Sequence, residues 1–169
     1  MNYQYIINEL SRNKNVFKEL LSGLTEEIYL WRPGPDKWCL LEIICHLYDE
    51  EREDFKARTK QVLSTPELAL PPINPTEWVL GRSYNKQDYL TSLSKFISER
   101  EQSILWLQSL KKTKWDNAFH HPKFGKMTAM LFLSNWLAHD YMHIRQIITL
   151  KFNYMKQHAI EPLDYAGNW

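Results

Sequence analysis

The stretch HDYMHIRQI, residues 139–147, decides the fold because it lies late in a long segment whose apolar residues have helical spacing. His139 and His143 are four residues apart, so one face of a helix carries both imidazoles. The same face carries residues that a helix bundle would bury, namely Phe132, Trp136, Ile147 and Leu150. Two inward imidazoles need partners, and one shared transition metal would occupy an acceptor nitrogen on each ring. Because a chain with six histidines contains such a pair by chance in roughly one case in five, a third ligand is needed to predict a metal site.

Four segments have the apolar spacing of amphipathic helices. The spacing predicts helices over residues 2–22, 40–61, 86–110 and 128–155. Gly23 follows the first helix as a stop signal, and Asn85 is the predicted N-cap of the third. No strand pattern competes with this count.

The connection between the second and third helices is long and contains four prolines, so residues 62–85 are too broken for another long helix. Its length is enough to cross a bundle from one end to the other, which would let these two helices run parallel. The predicted fold is therefore all-α, a four-helix bundle with a long crossover between helices two and three. The chain length suits a single domain over residues 1–169.

Composition excludes several classes of protein. Lys and Arg number 21 against 20 Asp and Glu, and so even a balance argues against a nucleic-acid partner. The N-terminus has no signal-peptide pattern and no run of about 18 apolar residues occurs, so we expect no membrane association. Cys39 and Cys45 would face different ways on a helix, which argues against a disulfide between them and favours the reducing cytoplasm.

His46 is the candidate third ligand because it lies beside the apolar stripe of the second helix. If the second and fourth helices are neighbours, His46 could join His139 and His143 around one metal. Three protein ligands with open positions are typical of catalytic sites, and an all-nitrogen set suits Zn, Ni or Fe(II). The alternative is a buried His46 that is hydrogen-bonded within the bundle.

Several neighbouring residues could assist such a site. Glu50 belongs to the charged run DEERED, where it would be a solvated residue, a hydrogen-bond partner of a metal ligand or a general base. Asn135 and Gln146 lie about one turn on either side of the histidine pair and could orient the imidazoles. Asp140 follows the first histidine of the pair, where zinc proteases have a Glu, but the acid is shorter and we do not expect a protease. His120 and His121 precede a proline in a predicted exposed loop and are left out of the site.

Three segments together resemble the DinB/YfiT-like superfamily of metal-dependent four-helix-bundle proteins. They are WRPGPDKWCLLEIICHL, FGKMTAMLFLSNWLAH and HDYMHIRQI, and the match in order and spacing extends over nearly the whole chain. The resemblance implies that His46, His139 and His143 bind one divalent metal ion and that the protein forms homodimers. It also implies a transferase or isomerase that uses a low-molecular-weight thiol such as bacillithiol, mycothiol or glutathione.

The leading prediction from sequence is therefore a metal-dependent thiol S-transferase acting on a small-molecule substrate. Metal-dependent hydrolysis and a non-enzymatic metal-binding or stress-response bundle are the alternatives. A hemerythrin-like di-iron carrier is a further alternative, because His46-x-x-x-Glu50 and His139-x-x-x-His143 resemble its ligand spacing. The first helix has no histidine, so a second iron would lack ligands.

Overall fold

Helices form most of the computed structural model, which describes residues 2–167. They are α1 (Tyr3–Leu21), α2 (Glu26–Leu30), α3 (Leu40–Asp49), α4 (Lys56–Ser64), α5 (Pro75–Gly81), α6 (Tyr89–Ser109) and α7 (Ala129–His158). A π-helical segment, Glu50–Phe55, joins α3 to α4, and 3-10 turns cover Tyr84–Lys86 and Asp164–Ala166. The predicted four-helix bundle is confirmed, with α1 packed on α6 and α7, α3 packed on α6, and α4 packed on α7. Within residues 2–167, no helix has the length and apolar character needed to cross a membrane.

Side-chain caps fix where the long helices begin. The Thr128 hydroxyl accepts a hydrogen bond from Leu131 N at 3.0 Å, which confirms the predicted start of the last helix. The predicted cap of α6 is wrong, because Asp88 Oδ1 accepts from Thr91 N at 2.8 Å. Asn85 lies instead in the preceding 3-10 turn, which delays the start of the helix.

A short β-hairpin that the sequence pattern did not predict precedes α7, and the four-helix count is unaffected by it. Strands β1 (Ala118–His121) and β2 (Gly125–Thr128) pair antiparallel. Gly125 adopts a φ of 70° at the turn, a conformation that glycine adopts without strain. The imidazole Nδ1 of His121 accepts hydrogen bonds from Lys123 N and Phe124 N at 3.0 and 3.2 Å. His121 therefore has a local role in the turn, away from the histidine pair of α7.

A layer of buried polar residues divides the apolar core into two clusters. One cluster includes Phe17, Leu40, Leu47, Phe96 and Ile147. The other includes Ile6, Leu10, Phe55, Leu107 and Trp136. The layer between them consists of Asn13 on α1, Glu51 on the π-helical segment, Arg100 on α6 and Asp140 on α7, all at most 4% exposed. The three longest helices and the π-helical segment therefore each contribute one polar side chain to this layer.

Arg100 is the centre of this layer. Its guanidinium donates to Glu51 Oε1 and Oε2 at 2.9 and 2.8 Å and to both oxygens of Asp140 at 2.7 Å. Trp136 Nε1 donates to Glu51 at 2.9 Å, and Asn13 Nδ2 donates to Asp140 at 3.1 Å. Burial alone would lower the pKa of Arg100, but the Asp140 and Glu51 carboxylates outweigh it and raise that pKa above its usual range. The cation is therefore permanently charged, and its donors are matched by carboxylate acceptors.

Candidate metal centre

Three imidazoles from two helices converge on one point beside the polar layer. His46 comes from α3, and His139 and His143 come from α7. Nε2 of His139 lies 3.3 Å from Nε2 of His46 and 3.1 Å from Nε2 of His143. The potential ligand atoms of the three residues all lie within 4.8 Å of one another. The structure thus brings together the three histidines that sequence spacing singled out.

Burial keeps all three imidazoles neutral. Desolvation lowers the pKa of His46 to about 3, and the repulsion that a protonated His46 would meet from a protonated His143 adds to the shift. Desolvation also lowers the pKa of His139 to about 2, and His143, His46 and Arg100 add to the effect. The pKa of His143 is lowered by burial as well, although Gln146 opposes the shift. Neutral imidazole is the form that binds metals, so the pocket holds these side chains in their ligand state at pH 7.

Gln146 fixes the orientation of His143, as the sequence predicted. Its Oε1 lies 2.8 Å from His143 Nδ1. Because a carboxamide oxygen only accepts, Nδ1 carries the proton and the lone pair on Nε2 points toward His139. The prediction that Asn135 also orients an imidazole is wrong. Its side chain donates instead to the Leu131 carbonyl at 2.9 Å, within its own helix.

Aromatic side chains hold the other two imidazoles. The ring of Trp38 packs against the ring of His46 with 4.9 Å between ring centroids, and the ring of Phe55 packs against that of His139 with 5.0 Å between centroids. His46 Nδ1 is buried and has no hydrogen-bond partner among residues 2–167. The ring of His46 is therefore positioned by packing, with its polar edge turned to the other two histidines.

Glu50 is buried, so the reading of this residue as a solvated member of the charged run is wrong. It begins the π-helical segment, whose wider turn replaces regular α-helix and is often found at functional sites. Burial raises the pKa of Glu50 to about 8, and the neighbouring Asp54 carboxyl, to which it is hydrogen-bonded, adds to the rise. Asp54 also lies 2.6 Å from the guanidinium of Arg58. Glu50 is therefore the buried, proton-holding member of a carboxyl pair whose other member, Asp54, is half-buried.

Two surface clefts reach the histidines from different sides. The first, which we call the His143 cleft, has a volume of about 350 Å³ and is lined by residues including Lys37, Trp38, Met142, His143, Arg145 and Gln146. The second, the His139 cleft, also has a volume of about 350 Å³ and is lined by residues including Asp54, Phe55, Arg58, Phe132, His139 and Met142. Met142 lines both clefts. A small molecule could therefore approach the histidine cluster from either side of this residue.

The chain belongs to a known group of helical proteins. A four-helix bundle that gathers three histidines from two helices defines the class, and the model of the DinB superfamily matches residues 9–147. The protein is therefore a member of the DinB superfamily. Its structure is similar to that of YfiT from Bacillus subtilis, described as "a probable metal-dependent hydrolase with an unusual four-helix bundle topology". The TM-score is 0.78 at 19% identity, over 90% of this chain and 87% of that one. A search of curated proteins found no match.

Proposed function

We propose that this chain binds one divalent metal ion, Zn, Ni or Fe(II), through His46, His139 and His143. The spacing of the nitrogens supports this assignment. A tetrahedral ion with metal–nitrogen bonds of about 2.05 Å separates its ligand nitrogens by about 3.3 Å. Two of the three separations between ligand nitrogens are 3.3 and 3.1 Å, and the third, between His46 and His143, is at most 4.8 Å. Neutral rings and the directed lone pair of His143 also suit a cation, whereas three facing lone pairs would repel one another without one.

A single ion is favoured over a di-iron centre. Among residues 2–167, the three histidines are the one group of at least three potential ligands that could share an ion. A hemerythrin-like centre would need a second set of ligands on the neighbouring helices. We therefore expect one metal ion per chain.

The observation that supports an enzymatic function is the access that two clefts give to this cluster, one through His143 and the other through His139. Three protein ligands leave coordination positions open, unlike the four ligands of most structural zinc sites. A divalent ion bound there would act as a Lewis acid and lower the pKa of a nucleophile at those positions. His139 and His143 each line one cleft, so substrate has access to both sides of the site.

Glu50 is our candidate for proton transfer. Its pKa near 8 means that the carboxyl holds a proton at pH 7. Because this pKa lies only about one unit above neutral pH, the group can both donate and accept a proton under physiological conditions. Its hydrogen-bonded partner Asp54 lines the His139 cleft, which gives the buried proton a route to substrate. The pair would deliver a proton to a leaving group or take one from a nucleophile.

The nucleophile decides the reaction. Water would make the protein a metal-dependent hydrolase, the activity ascribed to YfiT. A low-molecular-weight thiol would make it an S-transferase, as the family resemblance of the sequence implies. Beyond the metal ion, hydrolysis requires only water and no organic thiol, so we propose it as the first reaction to test and thiol transfer as the second.

Metal content and activity are to be measured on the same preparations. Untagged protein is analysed for metals, loaded with Zn, Ni or Fe(II), and assayed against ester and amide panels and for thiol conjugation to electrophiles. The triple variant His46→Ala, His139→Ala, His143→Ala is expected to lose bound metal and activity together, while His120→Ala in the hairpin retains both. Metal retention by the triple variant would refute the site. Bound metal without either activity would favour the metal-binding or stress-response bundle.

We also propose that the protein works as a homodimer in the cytoplasm. The family resemblance supports the dimer. Cys39 and Cys45 are both free and buried, which is compatible with a reducing compartment. Light scattering coupled to size-exclusion chromatography tests the assembly.

A further inference from the structure

The two clefts at the histidine cluster differ in charge. The His143 cleft is lined by Lys37 and Arg145, and none of its lining residues is acidic. Within residues 2–167 neither of these cations makes an ion pair. The His139 cleft also contains a cation, Arg58, but Asp54 neutralises it at 2.6 Å. Only the His143 cleft therefore presents uncompensated positive charge.

The rest of the His143 cleft suits an organic ligand. Trp38, Met142 and Leu150 supply apolar walls, and its volume of about 350 Å³ lies within the range of small-molecule sites. Gln146 lines the cleft while holding His143 through Nδ1, so a molecule bound here lies beside the imidazole that faces the cluster. The wall formed by Trp38 continues to His46, against which it packs.

We propose that the substrate of this centre is an organic anion whose carboxylate or phosphate group is bound by Lys37 and Arg145 in the His143 cleft. The inference rests on the proposed function. Arginine binds such oxyanions with paired N–H donors, and lysine adds a mobile point charge. The anionic end would lie at the cationic wall of the cleft and the reacting group at the histidines. An apolar portion could extend past Met142 into the His139 cleft, whose walls include Phe55 and Phe132.

The test uses hydroxamates, which bind open metal positions, as probes of the zinc-loaded protein. Dicarboxylic acid monohydroxamates with two to four methylenes are compared by calorimetry with their neutral terminal amides and with phosphonate analogues. The anionic probes are expected to bind about tenfold more tightly than the amides, a difference of about 1.4 kcal/mol. The carboxylate and phosphonate series separate the two oxyanions.

The double variant Lys37→Met, Arg145→Met is expected to lose the preference for anions while its affinity for the neutral amides is unchanged. The matched control is Lys60→Met, Lys123→Met, which removes the same charge elsewhere and keeps the preference. Equal binding of anion and amide by the unaltered protein would overturn the proposal. So would a preference that survives in the Lys37, Arg145 variant.

A second measurement separates this proposal from the metal assignment. Metal-free protein is titrated with millimolar glutarate while the indole N–H signal of Trp38, assigned with Trp38→Phe, is followed by NMR. A saturable shift that disappears in the Lys37, Arg145 variant supports the cleft as an anion site even if zinc does not bind. No saturable shift, with zinc binding intact, would overturn the anion site and leave the metal centre standing.

Discussion

Replacing Arg100 with Met should cost more stability than any other single substitution in the polar layer. The change removes four charge-assisted hydrogen bonds from the carboxylates of Glu51 and Asp140, which are 1% and 0% exposed. Among residues 2–167, the side-chain donors that remain are Trp136 for Glu51 and Asn13 for Asp140. Removing one partner of a buried ion pair costs about 3–5 kcal/mol. Two carboxylates lose their counter-charge here, so we expect about 4–5 kcal/mol. That is a large share of the roughly 5–15 kcal/mol by which domains are stable.

The measurement is urea denaturation followed by far-ultraviolet circular dichroism, with wild-type and variant slopes compared. Asp140→Asn is the matched variant, because it keeps the shape of the side chain and leaves Arg100 paired with Glu51. It should cost about 1–2 kcal/mol. The triple variant Arg100→Met, Glu51→Gln, Asp140→Asn removes the unpaired charges and should be more stable than Arg100→Met alone. A loss below about 1 kcal/mol in Arg100→Met, or a triple variant no more stable than it, would refute this reasoning.

Three further predictions concern the histidine site. The metal-free protein should lose stability as pH falls below about 6.5, because the three histidines are protonated in the unfolded chain but stay neutral in the folded one. For His46, with a folded pKa of about 3, the loss at pH 5 is about 2 kcal/mol, and His46→Gln should show a smaller difference in urea midpoint between pH 7.5 and 5. Glu50 has the opposite sign: its pKa is raised to about 8, so its favourable contribution is complete below pH 4.5 and is lost as pH rises toward 8. Glu50→Gln should therefore gain stability relative to wild type between pH 5 and 8, and a constant difference would contradict the burial argument. Gln146→Ala should weaken zinc binding by about 10–100-fold in chelator competition, whereas Asn135→Ala should leave it unchanged.

The helices and the three histidines were predictable because both follow from local spacing. Apolar periodicity specifies a buried helical face, and His139 and His143 lie on that face whatever the remaining topology. His46 required one further assumption, that the second and fourth helices are neighbours, and the structure brings its ring to the other two.

The polar layer could not be predicted from the same signals. Arg100 and Glu51 each lie in charged runs, SERE and DEERED, which are typical of solvated helix faces. Their pairing joins residues 49 positions apart, and Asp140 is another 40 from Arg100. Charge pattern along one helix carries no information about such partners. The π-helical segment that buries Glu50 likewise depends on packing across the bundle. Pro122 and Gly125 are local signals for the turn of the hairpin, but they do not specify its strands.

The polar layer also fixes the axial positions of the helices relative to one another. Hydrophobic side chains of similar volume can replace one another in a core, so apolar contacts alone specify the relative heights of two helices only weakly. The Arg100 guanidinium pairs with two carboxylates on different elements, so an axial shift of one helix would leave a buried charge without its partner. Since Asp140 is adjacent to His139, and Glu51 lies five residues beyond His46, this constraint sets the relative heights of the helices that carry the imidazoles. Apolar residues that contact neither the imidazoles nor the polar layer could therefore be exchanged for other hydrophobic residues while the spacing of the three histidine nitrogens is kept.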